Sequence, residues 1–572
     1  MGIVIVDGQE VQVGDSDRLN GIQVAERVGV DIPHYCWHAG LTVVASCRMC
    51  LVETGTRNAE TGAITMIPKL VPACQTPAKD GTVFVTNSDA VKKARAQVEE
   101  ALLIDHPIDC PICDKAGECH LQDYHFEHGQ AERRADIRPF TSATRSMGDT
   151  VKLFVDRCVM CSRCVRFCRE ITGTSELLVI NRGSAEEIDV FPGYPLANKL
   201  SGCVVDLCPV GALGDKDFLY KQRVWFMKRH LGVCAGCSTG CTIRIDENQD
   251  TVYRLTPQEN PFINKWWMCD EGRYGYKHLH SPERKIEAMR RGESVHSDGG
   301  NASRNGHAYE NVDWSQLPRE LAAAMEKACA GGGRLAAVVS PHLTVEEAYL
   351  LCKMTRTFDS QAVLALGPVP VVGKDESFPG KFTIHAEKCP NRKGVEHVLA
   401  HFCQGKIKLF EELLEDLAGQ HHHPGPLPKG EGEKPIKAAW ISGGYPQGNW
   451  CDENAAAQFA ALDLLVVQDM FESPLWRAAH YQLPGAGFAE RAGSYVNFAH
   501  RLQSFTWAIR PPAGVWTEGQ LYWQMLGQRG LYNPRKVLDE VAAEIVMFSA
   551  AAGEIPLVGL DLRVNQLATA TS

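Results

Sequence analysis

Seventeen of the 22 cysteines in this 572-residue chain lie between Cys36 and Cys269, and they fall in groups rather than singly. The most restrictive group is Asp105-His106-Pro107-Ile108-Asp109-Cys110-Pro111-Ile112-Cys113-Asp114-Lys115-Ala116-Gly117-Glu118-Cys119. It sets one imidazole and three thiols at H-x3-C-x2-C-x5-C. A dense cysteine framework suits either a small secreted disulfide scaffold or a metal protein. This chain is long enough for roughly four domains at ~150 residues each, so it has no need of disulfide staples. The start, Met1-Gly2-Ile3-Val4-Ile5-Val6-Asp7-Gly8, has no basic n-region, and valine at position 6 departs from the myristoylation pattern. No apolar run approaches ~20 residues, so no membrane span is expected. With 59 basic against 69 acidic residues, the charge argues against a nucleic-acid surface and for protein partners. The cysteines are therefore expected to hold metal.

Residues 3–13 read as a β-hairpin turning at Asp7-Gly8, followed by a short helix around Ile22–Val28. Next come Cys36-x10-Cys47-x2-Cys50 and, beyond an extended hairpin tip at Thr56–Thr65, Cys74. Four cysteines on a loop and one return strand suit a [2Fe–2S] cluster, which needs two thiolates per iron. The spacing differs from the plant-type run, and zinc is the competing reading. Residues 88–104 read as a helix with Ser88 as N-cap and Val91, Ala94, Val98, Ala101 and Leu102 on its apolar face. That helix delivers the chain to His106. One imidazole and three thiols would also suit zinc.

Cys158-x2-Cys161-x2-Cys164-x3-Cys168 has the spacing of a bacterial ferredoxin run, and Cys208-Pro209 supplies the distant cysteine–proline pair. The expected [4Fe–4S] ligands are Cys158, Cys161, Cys164 and Cys208. A second cluster would need a second run. Cys203 is the one cysteine between Cys168 and Cys208, and it stands five positions before Cys208 rather than four. Cys168 and Cys203 are therefore read as buried thiols. The last group is Cys234-x2-Cys237-x3-Cys241-x27-Cys269, for which a zinc ribbon is again the competing reading.

The local sequences narrow these choices. Tyr35-Cys36-Trp37-His38, Cys47-Arg48-Met49-Cys50-Leu51-Val52-Glu53 and Pro72-Ala73-Cys74-Gln75-Thr76-Pro77 resemble the N-terminal β-grasp ferredoxin domain of the complex I G-subunit family and its relatives in hydrogenases and formate dehydrogenases. His-Pro-x-x-Cys-Pro-x-Cys-Asp-x-x-Gly-x-Cys resembles that family's His-ligated [4Fe–4S] motif. The resemblance implies that His106, Cys110, Cys113 and Cys119 are its ligands, and that His120, His125 and His128 are not. The Cys234–Cys269 spacing, with Asp270-Glu271-Gly272-Arg273-Tyr274-Gly275-Tyr276 after it, resembles the N-terminal [4Fe–4S] domain of molybdopterin-dependent oxidoreductases. This implies a cluster on Cys234, Cys237, Cys241 and Cys269, off the main electron path.

Beyond Ser281 the texture changes. Residues 292–311 and 419–433 read as polar loops, the second holding three adjacent histidines. Between and after them, Leu335–Ser340, Ala362–Leu366, Ala438–Ser442 and Leu464–Gln468 read as strands. Val345–Phe358, Leu409–Leu417 and Glu453–Ala461 read as helices. That rhythm implies a parallel sheet covered on both faces. Ile441-Ser442-Gly443-Gly444-Tyr445-Pro446, Asp469-Met470-Phe471-Glu472-Ser473 and Gly493-Ser494-Tyr495-Val496-Asn497 resemble the molybdopterin-oxidoreductase large domain. Cys389 is the least poor candidate for an active-site cysteine, and it is expected not to be one. No nicotinamide-binding glycine turn and no Walker loop stand out.

The expected fold class is multidomain α+β and α/β. It comprises a β-grasp [2Fe–2S] ferredoxin domain (1–85), a His-ligated [4Fe–4S] domain (86–125), a ferredoxin-like [4Fe–4S] domain (126–225), a [4Fe–4S] domain of molybdopterin-oxidoreductase type (226–285) and a truncated molybdopterin-oxidoreductase-like domain (286–572). The expected cofactors are one [2Fe–2S] and three [4Fe–4S] clusters, with no FMN and no molybdopterin. The resemblance implies an electron-transfer subunit, without a complete active site of its own, that works between NADH and quinone. It also implies partners: a flavin/NADH-binding subunit, a small [2Fe–2S] subunit and a membrane-proximal ferredoxin-type subunit. The implied location is peripheral, on the cytoplasmic side of the inner membrane. The rival readings are an iron–sulfur subunit of an NAD-linked formate dehydrogenase or hydrogenase, and a zinc-stabilised scaffold that carries no electrons.

Overall fold

Asp7 and Gly8 both adopt left-handed backbone, with φ of 47° and 84°, which lets a two-residue turn close the hairpin between strands Gly2–Val6 and Gln9–Val13. In the computed structural model, which describes residues 2–292, 309–421 and 434–564 apart from 133, 136, 140 and 331, this hairpin begins one of two compact units. The first unit comprises residues 1–227 with 378–382, and the second 228–377 with 383–572.

In the first unit the hairpin joins a six-stranded sheet. Its order is Gln9–Val13, Gly2–Val6, Thr82–Val85, Leu51–Arg57, Ile64–Met66, with Val71–Pro72 also paired to Leu51–Arg57. Gly2–Val6 and Thr82–Val85 run parallel. The helix Gly21–Glu26, begun by an Asn20 capping box, packs Ile22 and Val24 onto Val4, Val52 and Phe84. The helix expected from Ser88 runs Asp89–Asp105, and the Ser88 side chain caps it by accepting from Val91 N–H. Its buried stripe differs from the expected one. Val91, Arg95 and Glu99 are buried, whereas Ala101 is exposed and Ala94, Val98 and Leu102 are half-buried. The reason is polar. The Tyr35 hydroxyl donates to Glu99 Oε1, so this face packs against the loop that carries Cys36. A small sheet, Leu213–Asp215, Val151–Leu153, Arg145–Ser146, and the short helices Arg163–Phe167 and Cys203–Leu207 complete the unit's cysteine-bearing part.

The second unit opens with the antiparallel strands Lys228–Val233, Thr242–Asn248 and Thr251–Pro257. Its main sheet has eight strands in the order Tyr309–Asn311, Met289–Arg291, Tyr481–Pro484, Leu464–Asp469, Ile436–Ser442, Arg334–Val339, Val363–Leu366, Lys408–Leu409. From Tyr481–Pro484 onward all neighbours are parallel. Alternate residues of one strand serve two cores: Leu335, Ala337 and Val339 face one, Ala336 and Val338 the other. Both faces are thus covered, as parallel sheets require. Strands and helices match the expected rhythm within about two residues, save that the helix after 409 runs Phe410–His421. The loop read over 292–311 falls outside the described residues except at its ends, and Tyr309–Asn311 is a strand rather than loop. Residues 422–433 of the second polar stretch also lie outside them. Among the described residues no helix is long and apolar enough to cross a membrane.

Candidate metal centres

Residues 36–50 form a loop without regular structure, and left-handed backbone at Ala45 (φ 51°) and Arg48 (φ 61°) turns its amides inward. The sulfur of Cys36 accepts from the N–H groups of Ser46 and Cys47, and that of Cys47 from Met49 N–H. The Cys36 sulfur also lies within accepting reach of the Cys47 and Cys74 thiols, and the Cys50 sulfur within reach of Cys74. The four thiols therefore form one continuous group, with Cys36, Cys50 and Cys74 buried and Cys47 half-buried. Sharing protons along this row holds Cys36 and Cys50 below the ordinary thiol range and lifts Cys47 and Cys74 above it. Amides aimed at sulfur are what a thiolate-bound cluster accepts.

The Cys158–Cys164 loop uses the same device. Met160 and Ser162 are left-handed, at φ 49° and 56°, and Met160 N–H donates to the Cys158 sulfur at 3.4 Å. Cys161 and Cys208 lie near enough to Cys158 to disfavour its ionisation, and Cys158, Cys161 and Cys208 do the same to Cys164. Burial is the larger effect and pushes Cys158 to about 12 and Cys161 to about 11. Bare thiols here resist ionisation, so a bound cation would have to offset that cost. Cys168, on a π-turn, and Cys203, at a helix start, are both buried, as anticipated, and close enough to interact.

His106 ends the helix Asp89–Asp105 in extended backbone. It is held neutral, with its pKa lowered to about 4, by burial first and by the Arg157 guanidinium second. Arg157 also faces Cys113 and pairs with Asp109 at 3.0 Å, so it lies beside both the histidine and the thiol group. Cys113 interacts with Cys110, and Cys119 with Cys113. Cys119, in extended backbone, is the N-cap residue of the helix His120–His128 that follows, without a cap hydrogen bond from its side chain. On that helix His120 packs on Tyr124 and His125 on Phe126, while His128 pairs with Glu127. Gly211, three residues after Cys208, closes in from the other side: a Cβ there would lie 2.1 Å from the Cys113 sulfur.

In the second unit Cys234, Cys237, Cys241 and Cys269 are all buried. Cys234 and Cys237 interact, and both act on Cys269. Gly236 N–H donates to Cys234 at 3.5 Å and Gly272 N–H to Cys269 at 3.3 Å. Gly272 has to be a glycine, since its Cβ would meet the Cys234 sulfur at 2.9 Å and the Cys269 sulfur at 3.4 Å. Beside this group lies a cavity of about 510 Å³, lined among others by Cys234, Gly272, His342, Gly444, Trp450 and Arg491. Arg491 is buried between Glu347 (2.8 Å) and Glu518 (3.1 Å). One guanidinium neutralises one carboxylate, and burial lifts the Glu518 carboxyl to about 7. Cys389 is buried next to Glu387, and burial raises its thiol well above the ordinary range.

Among the described residues no three or more of His, Cys, Asp and Glu converge at the spacing of a single metal ion. An iron–sulfur cluster does not need that convergence, because its several irons hold the ligands apart. The residues that spacing missed are the buried Arg95, Glu99, Arg157, Arg163 and Arg166. Arg163 and Arg166, three apart on the helix that carries Cys164, could have been noticed as charges inside a cysteine run.

Five family models match the chain in succession. They describe a 2Fe–2S iron–sulfur cluster binding domain (3–89), an NADH-ubiquinone oxidoreductase-G iron–sulfur binding region (95–134) and the ferredoxin-like domain of NADH-quinone oxidoreductase subunit 3 (148–214). The last two describe a molybdopterin oxidoreductase Fe4S4 domain (227–281) and molybdopterin oxidoreductase itself (426–517). The G subunit of the Rickettsia typhi NADH-quinone oxidoreductase is 38% identical over 276 residues, 48% of this chain and 39% of that protein. The Rickettsia felis protein of the same description is 33% identical over 346 residues, 60% of this chain and 47% of that one. The mitochondrial NADH dehydrogenase [ubiquinone] iron–sulfur protein 1 of Solanum tuberosum is 39% identical over 276 residues, 48% and 36% of the two chains. The matched part thus spans less than half the length of these relatives. A solved NAD+-reducing [NiFe]-hydrogenase aligns at a TM-score of only 0.33, with 25% identity over 39% of this chain and 91% of that one. Over about half its length the chain is similar to the G subunit of NADH-quinone oxidoreductase, and models of iron–sulfur and molybdopterin-oxidoreductase domains match it in series.

Proposed function

We propose that this chain is an electron-carrying subunit of an NADH–quinone oxidoreductase. Its ligand sets would be Cys36, Cys47, Cys50 and Cys74 for a [2Fe–2S] cluster, and three [4Fe–4S] sets. These are His106, Cys110, Cys113 and Cys119; Cys158, Cys161, Cys164 and Cys208; and Cys234, Cys237, Cys241 and Cys269. The five domain boundaries expected from the sequence go with this reading. The observation that supports it is the thiol group at Cys36–Cys74, where a loop with two left-handed turns and a return strand gather four cysteines at one place.

Iron–sulfur centres accept and release single electrons, at potentials set by cluster type, ligand charge and burial. The protein's part is to bind, space and insulate. Burial keeps water from the sulfurs, and amide donors offset their charge. The neutral His106 imidazole carries one negative charge fewer than a thiolate. Cys168 and Cys203 are packed thiols outside the ligand sets, as is Cys389. The chain is expected to hold neither FMN nor molybdopterin. It would receive electrons from a flavin/NADH-binding subunit alongside a small [2Fe–2S] subunit, and pass them to a membrane-proximal ferredoxin-type subunit. It would work at the cytoplasmic side of the inner membrane.

Anaerobic purification with iron, labile-sulfide and EPR analysis tests the reading. It predicts about 14 irons per chain from the cluster types, with matching sulfide. Zinc with little sulfide would sink it. A co-purifying subunit that carries a pterin-bound metal would instead place the chain with a formate dehydrogenase.

A further inference from the structure

The helix Arg163–Phe167 carries two buried arginines, three residues apart and 5% and 2% exposed. Arg166 donates through Nη2 to the carbonyls of both Cys36 and Cys161 (3.2 Å to the latter), and through Nη1 to the Thr42 carbonyl. Arg163 donates through Nη2 to the Trp37 carbonyl at 2.5 Å and through Nη1 to the Leu207 carbonyl at 3.3 Å. Each guanidinium therefore clamps a residue at or beside a first-group cysteine to one at or beside a ferredoxin-type cysteine: Cys36 to Cys161, and Trp37 to Leu207. These hydrogen bonds all end on carbonyls. Glu170, a carboxylate that acts on Arg166, has its oxygens engaged by Thr42 N–H (2.9 Å), Thr42 Oγ1 (2.6 Å) and Arg169 (3.0 Å). Two permanent cations buried on carbonyls alone are costly unless negative charge stands close by. The thiols facing Arg166 are Cys161 and Cys36. Two clusters, each held by four thiolates, would supply that charge.

We infer that Arg163 and Arg166 are shared positioning residues, which lock the Cys36–Thr42 loop to the Cys161 and Cys208 loops and lend one positive field to both redox sites. The inference rests on the cluster assignment above and adds to it. Both groups answer to one pair of cations, so their reduction potentials are set jointly and their spacing is held by side chains rather than by sheet or helix. A positive charge favours the reduced, more negative form of each cluster. Its removal lowers both potentials in the same direction.

The test is a redox titration by EPR of the full chain, purified anaerobically with its clusters. In R166Q both the [2Fe–2S] signal and that of the Cys158–Cys208 cluster should move to more negative potentials. A shift of about tenfold in each reduction equilibrium is expected, which is 59 mV for a one-electron couple. R166K keeps the charge and should hold both potentials near wild type. If R166Q fails to retain clusters, R163Q and R166K decide. R163Q lowering both potentials, with R166K lowering neither, supports the assignment. R166Q or R163Q, each lacking the positive charge, overturns it if either potential stays put. Absence of both signals from the wild-type chain would instead defeat the cluster reading on which the inference stands.

Discussion

At Gly211 an added methyl group would meet the Cys113 sulfur, and the outcome depends on what that sulfur is bound to. A free thiol turns to another rotamer for about 1 kcal/mol, whereas an iron-bound one cannot turn. G211A is therefore expected to remove one [4Fe–4S] signal and about four irons, with the other signals intact. Full iron content in G211A would mean that Cys113 is not a ligand. His106→Cys adds a negative charge to the same centre and should lower one midpoint potential only. If every signal stayed unchanged, His106 would be a bystander. A residue of the second unit makes a pH prediction. Burial raises Glu346 from the ordinary 4.5 to about 7, although Ser494 donates to it through both N–H and hydroxyl, and neighbouring Glu347 adds to the rise. A raised folded pKa means that the contribution is complete below about 4.5 and is lost as pH climbs through about 7. Asp469 and Glu518 shift in the same direction, each to about 7. The unfolding temperature of this unit should fall over that window, and E346Q should flatten the slope; an unchanged slope would remove Glu346 from the explanation.

Among the elements, the helix Val345–Phe358 was legible to the residue, and the physical reason is local. Thr344 and Glu347 form a capping box at its start, and apolar side chains run its length into the larger core. The box has a second duty, because Glu347 also holds Arg491. T344A should cost about 1–2 kcal/mol, seen as a lower unfolding temperature for the unit. An effect of a few tenths would show that the Thr344 hydroxyl matters little. The helix Asp89–Asp105 is the contrasting case. Its ends were readable from Ser88 and from the apolar spacing, but its buried face was not. Propensity cannot anticipate a buried Glu99, since what admits it is a partner, Tyr35, more than 50 residues away in sequence.

At the scale of the whole molecule, three of the four cysteine groups fall in the first unit and the fourth in the second. C234A is therefore expected to lower iron by about four per chain and leave the first unit's EPR signals at their wild-type potentials. A shift in those signals would mean that the Cys234–Cys269 group is coupled to them and does more than stabilise its own domain. The alternating strand–helix rhythm beyond Ser281 was readable because a parallel sheet needs each strand apolar on both faces and each crossover helical. The two antiparallel strands at one end of the sheet, Met289–Arg291 and the edge strand Tyr309–Asn311, were not. They are short and polar, and pairing with Tyr481–Pro484 is what makes Met289–Arg291 a strand.

The cysteine spacings, read in order, separate four groups along the chain, because spacing within a short loop is a local property. The turn at Asp7-Gly8, the cap at Ser88 and the strand and helix periods are local in the same sense. Only the tertiary structure decided what surrounds the groups: Gly211 against Cys113, Arg157 beside both His106 and Cys113, and Arg163 and Arg166 between two loops more than 100 residues apart in sequence. Those contacts depend on which distant backbone the fold brings near, and no spacing along the chain encodes that distance.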